Sequence, residues 1–284
     1  MTAAVLGWGV PRLRDLPWRR TRDPWAILVS EVMLQQTQVT RVRPKWAAFM
    51  DAHPTPASCA SAALGDVLRL WEGLGYPRRA RNLHAAAAAI VDRHGGSMPS
   101  ELGELLALPG VGPYTARAVQ AFAFGLDVAI VDTNVARVLA RTSGRRLTGR
   151  QVQQLADSLV PAGEGWAWNQ AMLDLGATVC TARSPACDEC PVVTSCAWAA
   201  TGRSAPDPAT GSAFVSTGQP RFAGSDRQAR GRILRAAARR PLVGLVDVAA
   251  AAGLDGDLPR AGRLVDGLVA DRLIVLSEEG YRLP

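Results

Sequence analysis

From Asp23 to about Ala200, apolar residues recur at helical spacing, broken at short intervals by Pro, Gly and Asp, with little period-two alternation. That pattern predicts a body of successive helices. In Asp23-Pro24-Trp25-Ala26-Ile27-Leu28-Val29-Ser30-Glu31-Val32-Met33-Leu34, a cap residue and a proline open a helix with one acid deep inside an apolar run. Helical spacing puts Ile27 and Leu34 on the face of Glu31, so its carboxyl is expected to be partly buried. Between Thr201 and Ser225 the chain turns to Gly, Ser, Thr, Pro and Asp, the composition of a flexible linker. Three further helices are expected, near Asp226 to Arg240, Leu245 to Ala252 and Pro259 to Asp271. A closing hairpin pairs Leu273–Leu276 with Tyr281–Leu283 across Glu278, Glu279 and Gly280. Three helices and a hairpin suggest a small winged-helix-like module, although a plain packing appendage fits the same pattern.

The 284 residues are 48% apolar, enough for a sizeable core and a small second domain. Lysine and arginine total 32 against 25 acids, a formal charge of +7 that favours polyanionic partners, nucleic acid first. Nearly all of that charge is arginine; Lys45 is the one lysine. Arg12, Arg14, Arg19, Arg20 and Arg22 punctuate the N-terminus, leaving no apolar run long enough for a signal peptide, and no membrane-length segment follows. A cytoplasmic, monomeric protein is expected. Its five cysteines then read as metal ligands or buried thiols rather than as disulfides.

Cys180, Cys187, Cys190 and Cys196 are separated by six, two and five residues in a short segment that contains Pro185 and Pro191. Four thiolates gathered by tight turns can ligate tetrahedral zinc or an iron–sulfur cluster, and softness alone does not separate the two. Cys59, far away in an Ala-rich stretch, reads as a small buried residue.

Leu108-Pro109-Gly110-Val111-Gly112-Pro113-Tyr114-Thr115-Ala116 sets two glycines between helical segments, with Pro113 suited to the first turn of the next helix. Bare amides at Gly110, Val111 and Gly112, beside a helix N-terminus, can hold a DNA phosphate; an ordinary helix–helix turn has the same sequence signature. A carboxyl desolvated at Glu31 would stay protonated near neutral pH, as a general acid must. Asp132, after Val128-Ala129-Ile130-Val131, reads as a helix N-cap whose carboxylate can stay ionised on backbone amides and face a cationic sugar.

Leu16-Pro17-Trp18-Arg19 and Ser30-Glu31-Val32-Met33-Leu34-Gln35-Gln36-Thr37-Gln38-Val39 closely resemble the adenine DNA glycosylases. So do Gly73-Leu74-Gly75-Tyr76, Arg81-Asn82-Leu83-His84, the glycine hairpin, Asp132 with Asn134, and Asn169-Gln170-Ala171-Met172-Leu173-Asp174-Leu175-Gly176-Ala177. The cysteine spacing equals the 4Fe-4S loop of this family and of endonuclease III, and the likeness runs from Leu16 to Cys196.

The resemblance implies an all-α helix-hairpin-helix glycosylase fold: a six-helix core over 21–132, an iron–sulfur domain over 1–20 and 133–200, a linker over 201–225 and the module over 226–284. It implies a 4Fe-4S cluster on the four clustered cysteines and a duplex DNA partner carrying a mismatch or an oxidised guanine. Glu31 would protonate adenine at N7 and Asp132 would steady the oxocarbenium ion, with Tyr114 and Asn134 in support. Gln36 and Tyr76 match positions that wedge into the base stack, and Trp18, Arg19 and Gln170 match positions lining the adenine pocket. The bifunctional relatives carry a lysine where this chain has Tyr114, so base release without strand cleavage is expected.

Two departures stand out. Pro77, Arg78 and Arg79 replace a second aromatic after Tyr76, which predicts a stiffer wedge loop. The region after Thr201 is too short and too helical for the Nudix-like domain with which longer members read 8-oxoguanine. Arg227, Arg230, Arg232 and Arg235 of the module read either as DNA contacts or as a solvated face. Two rival readings fit the same residues, a thymine-removing mismatch glycosylase of the same superfamily and a non-catalytic iron–sulfur damage sensor.

Overall fold

A computed structural model of the chain describes residues 1–215 and 221–284. The described chain runs through α1 (Thr2–Gly9), α2 (Pro24–Leu34), α3 (Val39–Ala52), α4 (Pro56–Ala60), α5 (Leu64–Leu70), α6 (Arg78–His94), α7 (Leu102–Leu106) and α8 (Pro113–Phe122). It continues through α9 (Thr133–Ser143), α10 (Gly149–Leu159), α11 (Gly165–Asp174) and the short α12 (Ala197–Ala200). α13 (Asp226–Ala237), α14 (Gly244–Ala252) and α15 (Leu258–Ala270) precede the hairpin β1 (Val275–Ser277) and β2 (Gly280–Arg282). The fold is all-helical apart from that ribbon, as the periodicity predicts. Among the described residues no helix is long and apolar enough to cross a membrane.

The helices assemble into two compact units. The first comprises Met1–Ile27, Ser100–Leu106 and the described part of Val111–Gly218. Its core joins Val5 of α1, Val135 and Leu139 of α9, Val152 of α10 and Trp168 and Met172 of α11, each no more than 3% exposed. Local chemistry starts the helices: Asp23 Oδ1 accepts from the Trp25 amide at 2.9 Å, ahead of Pro24, and Thr148 with Gln151 forms a capping box on α10. The segment before α2 is pinned by a buried carboxylate. Asp174, 3% exposed on α11, takes both arms of the Arg19 guanidinium at 2.8 Å and the Arg14 Nε at 2.6 Å.

Residues 201–215, expected to be part of a flexible linker, instead pack into the first unit. Asp207 pairs with the buried Arg141 at 2.7 Å, the Ala213 amide donates to the Leu147 carbonyl at 3.0 Å, and the Ser212 hydroxyl accepts from the Leu147 amide at 3.0 Å. A guanidinium that is 2% exposed requires a carboxylate, and Asp207 supplies it, so the chain cannot leave that surface. Residues 216–220 of the expected linker lie outside the described residues.

The second unit comprises Leu28–Pro99, Ala107–Gly110 and the described part of Gln219–Pro284. α6 buries an alanine-rich face, Ala80, Leu83, Ala86, Ala87 and Ile90, on which α4 and α5 pack. Phe49 meets Trp71 edge-on, ring centroids 6.5 Å apart. Cys59 is fully buried and its thiol is pushed up to about 12 by desolvation, the inert small residue that its surroundings predict.

The C-terminal module lies in this second unit. α13, α14 and α15 close around Ile233, Val248, Leu264, Val265 and Leu268. The hairpin pairs Leu276 with Tyr281, and Tyr281 also bridges Leu242, which gives the three helices and the wing-like ribbon expected. Asp271 Oδ2 accepts from Arg78 Nε at 2.8 Å and from Arg230 at 2.5 Å, Arg81 donates to the Asp271 carbonyl at 2.6 Å, and the Gly65 amide donates to the Pro284 carbonyl at 3.1 Å.

Burial opposes ionisation of Asp174, yet the hydrogen bonds and charge of Arg19 and then Arg14 outweigh it and hold the carboxyl below its ordinary value. The stability this contributes is present above the unfolded carboxyl value near pH ~3.9 and is lost as pH falls through the lower folded value. Asp174→Asn, which strands two guanidiniums, is expected to cost about 3 kcal/mol at pH 7. The gap from the parent should close as the medium is acidified below pH ~4, as read by denaturant unfolding. A gap that does not change with pH would show that the carboxylate charge is not what holds this segment.

Candidate active site and cluster loop

In the second unit, Glu31 is 4% exposed on α2, flanked by Ser30 at 0% and Val32 at 5%. The apolar run that predicted its burial does bury it. Immediately after α2 the chain turns through Gln36, which is exposed with φ +55°, and a second turn places Tyr76 at φ +48°. Neither residue is a glycine, so each turn is strained and must be held from outside.

Arg79 holds both. Its Nη1 donates to the carbonyls of Val32, Met33 and Gln35 at 2.7–2.9 Å, and its Nη2 donates to the Thr37 hydroxyl and to the carbonyls of Leu74 and Gly75 at 3.0–3.1 Å. One guanidinium thus gathers the orphan carbonyls at the C-terminus of α2 and the backbone of the Gly73–Tyr76 loop. Its charge sits 5.3 Å above the Trp71 ring and 5.5 Å from the Tyr76 ring. Desolvation lowers its pKa to about 10. Of Pro77-Arg78-Arg79, from which a stiffer loop is expected, Arg79 is the residue that bonds the loop backbone.

Gly110 has φ +77°, and a Cβ there would lie 2.7 Å from the Asn82 Cβ, so only glycine closes this turn. In the first unit Val111 is buried, Gly112 caps α8 in extended backbone, and Tyr114 is half-buried in the first turn of α8 behind Pro113.

Asp132 is the N-cap of α9. Its Oδ1 accepts from the amides of Asn134 at 2.8 Å and Val135 at 2.7 Å, and its Oδ2 accepts from Asn134 Nδ2 at 2.8 Å. Burial pushes its carboxyl above the ordinary value, while these three donors and the nearby Arg137 pull the other way. The strand-like approach to it is fixed by Asn169, whose Oδ1 accepts from the Ile130 amide at 2.8 Å and whose Nδ2 donates to the Val128 carbonyl at 2.8 Å.

Arg137, 6% exposed, joins this cap to the cysteine loop. It donates to Asn134 Oδ1 at 2.8 Å, to the Gly176 carbonyl at 2.6 Å and to the Cys180 carbonyl at 2.7 Å. Gly176 lies in a π-helical turn, Leu175–Val179, between α11 and Cys180. A Cβ there would sit 2.6 Å from the Asn134 Cβ, so the turn presses directly on the start of α9.

Cys180, Cys187, Cys190 and Cys196 line one cavity with Val138, Val179, Val192 and Trp198. Among the described residues no three metal-ligating side chains converge as a single ion would require. Four thiols around one cavity form a donor set that an iron–sulfur cluster takes. Arg141 reinforces the loop: it donates to the Thr181 carbonyl at 2.7 Å, the Ala182 carbonyl at 3.0 Å and the Cys180 sulfur at 3.4 Å, and lies 4.5 Å over the Trp198 ring.

Trp18 and Gln170, expected in the adenine pocket, are 6% and 3% exposed in the first unit. Gln170 precedes Asp174 by one turn of α11, and the Arg19 guanidinium is bound fork-to-fork to Asp174, so Arg19 orients the Trp18 turn. The sequence pattern does not single out roles for Arg79, Arg137, Arg141, Asn169 or Asp174. Arginine after a tight loop is the only local signal for Arg79; the bonds of the others to Ile130, Cys180, Thr181 and Arg19 reach 39 or more residues along the chain.

The fold and cysteine loop define a helix-hairpin-helix base-excision glycosylase with an iron–sulfur cluster. Residues 29–162 match the HhH-GPD superfamily of base excision DNA repair proteins, and residues 180–196 match the iron–sulfur binding domain of endonuclease III. A thermostable thymine-DNA glycosylase superposes over 70% of this chain and 95% of its own with a TM-score of 0.66 at 30% identity. A trapped endonuclease III–DNA covalent intermediate superposes over 70% and 94% with a TM-score of 0.62 at 27% identity. An adenine DNA glycosylase of Mycolicibacterium smegmatis is 42% identical over 97% of this chain and 96% of its own length. The human adenine DNA glycosylase is 43% identical over 68% of this chain and 38% of its own. The chain belongs to the adenine DNA glycosylase family, and its four clustered cysteines hold a 4Fe-4S cluster. The mycobacterial match spans the C-terminal module as well, since it leaves only 3% of this chain uncovered.

Arg137→Met would leave the Gly176 and Cys180 carbonyls without their donor, at about 1–3 kcal/mol for each buried acceptor. Gly176→Ala would overpack the turn against Asn134, at about 1–3 kcal/mol. Both variants are expected to purify with less iron per chain and a lower melting temperature. Full iron content with an unchanged melting temperature would contradict the coupling of cap and cluster loop.

Proposed function

We propose that the chain hydrolyses the N-glycosidic bond of adenine mispaired with 8-oxoguanine or guanine in duplex DNA and leaves the abasic strand uncut. The observation that carries this reading is Glu31, a carboxyl only 4% exposed on an apolar helix, in a chain 42% identical over nearly its full length to an adenine DNA glycosylase.

Glu31, buried on α2, is the acid that gives its proton to adenine N7. As that proton arrives, the C1′–N9 bond breaks and its electron pair leaves with the base. The sugar becomes an oxocarbenium ion, and the Asp132 carboxylate, held by its three donors, faces that positive charge. Water then bonds to C1′ and gives its proton to the Glu31 carboxylate, which restores the acid. Asn134 orients Asp132, and Tyr114 borders the sugar. Trp18 and Gln170 receive the everted base, with Arg19 fixing the turn that carries Trp18. Gln36 and Tyr76 fill the gap in the stack and offset the few kcal/mol that flipping costs. The amides of Gly110, Val111 and Gly112 take a phosphate. Cys180, Cys187, Cys190 and Cys196 would hold the cluster and so tie their loop together, and the hydrolysis itself needs no electron transfer.

Strand cleavage through a Schiff base needs an amine on the sugar. The hairpin position holds Tyr114, and the chain's single lysine, Lys45, is on α3.

Incubation with duplexes bearing A opposite 8-oxoguanine, A opposite G and T opposite G, with and without alkali, tests the assignment. Alkali-dependent breaks on the adenine strands are expected. Breaks on the thymine strand alone would transfer the chain to the thymine-removing branch, and breaks without alkali would refute the monofunctional reading. Glu31→Gln is expected to slow base release at least 10²-fold with duplex affinity retained; retained turnover would exclude Glu31 as the acid. Asn134→Ala removes a donor that lowers the Asp132 value. The carboxyl then ionises at higher pH, and the acidic limb of the single-turnover rate should move to higher pH. An unmoved limb would show that Asp132 ionisation does not govern the rate.

A further inference from the structure

Within the second unit, the Gly73–Pro77 loop and the turn after α2 border α13 across a groove of about 1130 Å³. Its lining is one-signed: Arg41, Arg69, Arg227, Arg230, Arg232 and Arg235 contribute, against a single lining carboxylate, Glu72. Asp271 and Glu72 engage Arg230 and Arg235 from one side, and the Arg235 side chain remains 54% exposed. Arg69 is paired with Asp66, yet the lining keeps an excess of guanidinium charge, the complement of a phosphodiester chain.

The groove also contains Gln36 and Tyr76. Arg227 of α13 donates to the Tyr76 hydroxyl at 2.7 Å, and its guanidinium carbon lies 5.7 Å from the Tyr76 ring and 5.1 Å from the ring of the exposed Phe222. Arg79 approaches the Tyr76 ring at 5.5 Å, so the strained Tyr76 is held by one arginine from the core and by a second from the module. Aromatic faces beside a basic track are the two elements of a single-strand nucleic-acid platform.

We infer that this groove takes one strand of the substrate duplex along its phosphodiester backbone, with Arg227 positioning Tyr76 as the platform on which a base of that strand stacks. The C-terminal module is then part of the DNA-reading surface. This rests on the adenine-glycosylase reading for the identity of the duplex, but its test is separable from that reading.

The test uses the full chain carrying Glu31→Gln, so that the duplex stays intact, and fluorescence anisotropy with an A·8-oxoguanine duplex and its matched counterpart over a range of salt concentrations. Removing one arginine from a phosphate should lower the slope of log Kd against log salt by about 0.9. The Arg232→Gln/Arg235→Gln double variant is expected to lower the slope by about twice that amount and to bind at least tenfold more weakly at low salt. Arg263→Gln, exposed on α15 outside the groove, should leave the slope as it was. Arg227→Ala is expected to reduce the preference for the mispaired over the matched duplex at least fivefold. Arg227→Lys, which lacks the planar fork, should not restore it. Melting temperatures of all variants confirm that each is folded. An unchanged slope in the folded double variant, or an equal fall in Arg263→Gln, would overturn the inference. Absence of adenine release by the parent protein, with the slope change intact, would sink the glycosylase reading and leave the groove standing.

Discussion

Guanidinium groups withdrawn from water organise this protein. A guanidinium presents five N–H donors in a rigid fork and cannot discard its charge, so wherever it is desolvated it must collect acceptors from several directions. Arg79 collects six, Arg137 joins the start of α9 to the turn before Cys180, and Arg141 binds Thr181, Ala182 and Asp207. Most of these acceptors are loop carbonyls, the groups that irregular backbone otherwise leaves to solvent. Each arginine therefore converts a pair of loops into one rigid object. An ammonium, with three donors on a flexible stem, cannot span the same set, and a chain with a single lysine is consistent with that demand.

The loops so fixed are the ones that carry the proposed chemistry. Arg79 controls the turns of Gln36 and Tyr76, two positive-φ residues whose strain is sustained only because a clamp over-determines them. Arg137 touches Asn134, which touches Asp132, and on its other side the backbone at Gly176 and Cys180. In the first unit the cluster loop is therefore one support of the N-cap that is to face the developing cation. Preorganisation of this kind is what electrostatic catalysis requires, since a dipole already oriented costs nothing to reorient during the reaction.

Helical periodicity and caps were sufficient to read most of the elements. Asp23-Pro24 opens α2, Asp132 opens α9, and the three helices and ribbon of the module fall within a few residues of their expected places, because each is decided by neighbours in sequence. Burial of Glu31 was legible for the same reason. The clamps were not. Arg79 reaches back more than 40 residues to Val32, Met33 and Gln35, Arg137 forward 43 to Cys180, and Arg141 forward 66 to Asp207. Beyond the tight loop before Arg79, nothing local distinguishes those arginines from solvated ones. The composition of residues 201–215 signals a linker, and the charge on Arg141 together with the bonds to the Leu147 backbone explains why that segment is held. The fork-to-fork pairing of Arg19 with Asp174, 155 residues away, is likewise beyond local pattern.

Amide hydrogen exchange on Arg79→Met addresses the claim that one desolvated fork holds two loops. The Thr37 amide is bonded to the Leu34 carbonyl and the Leu74 amide to the Trp71 carbonyl, each at 3.1 Å, so both loops carry a protected reporter. The account predicts that protection at Thr37 and at Leu74 falls together in the variant, while amides in the second half of α6 keep theirs. Unchanged protection at both sites, or loss confined to one loop, would contradict it.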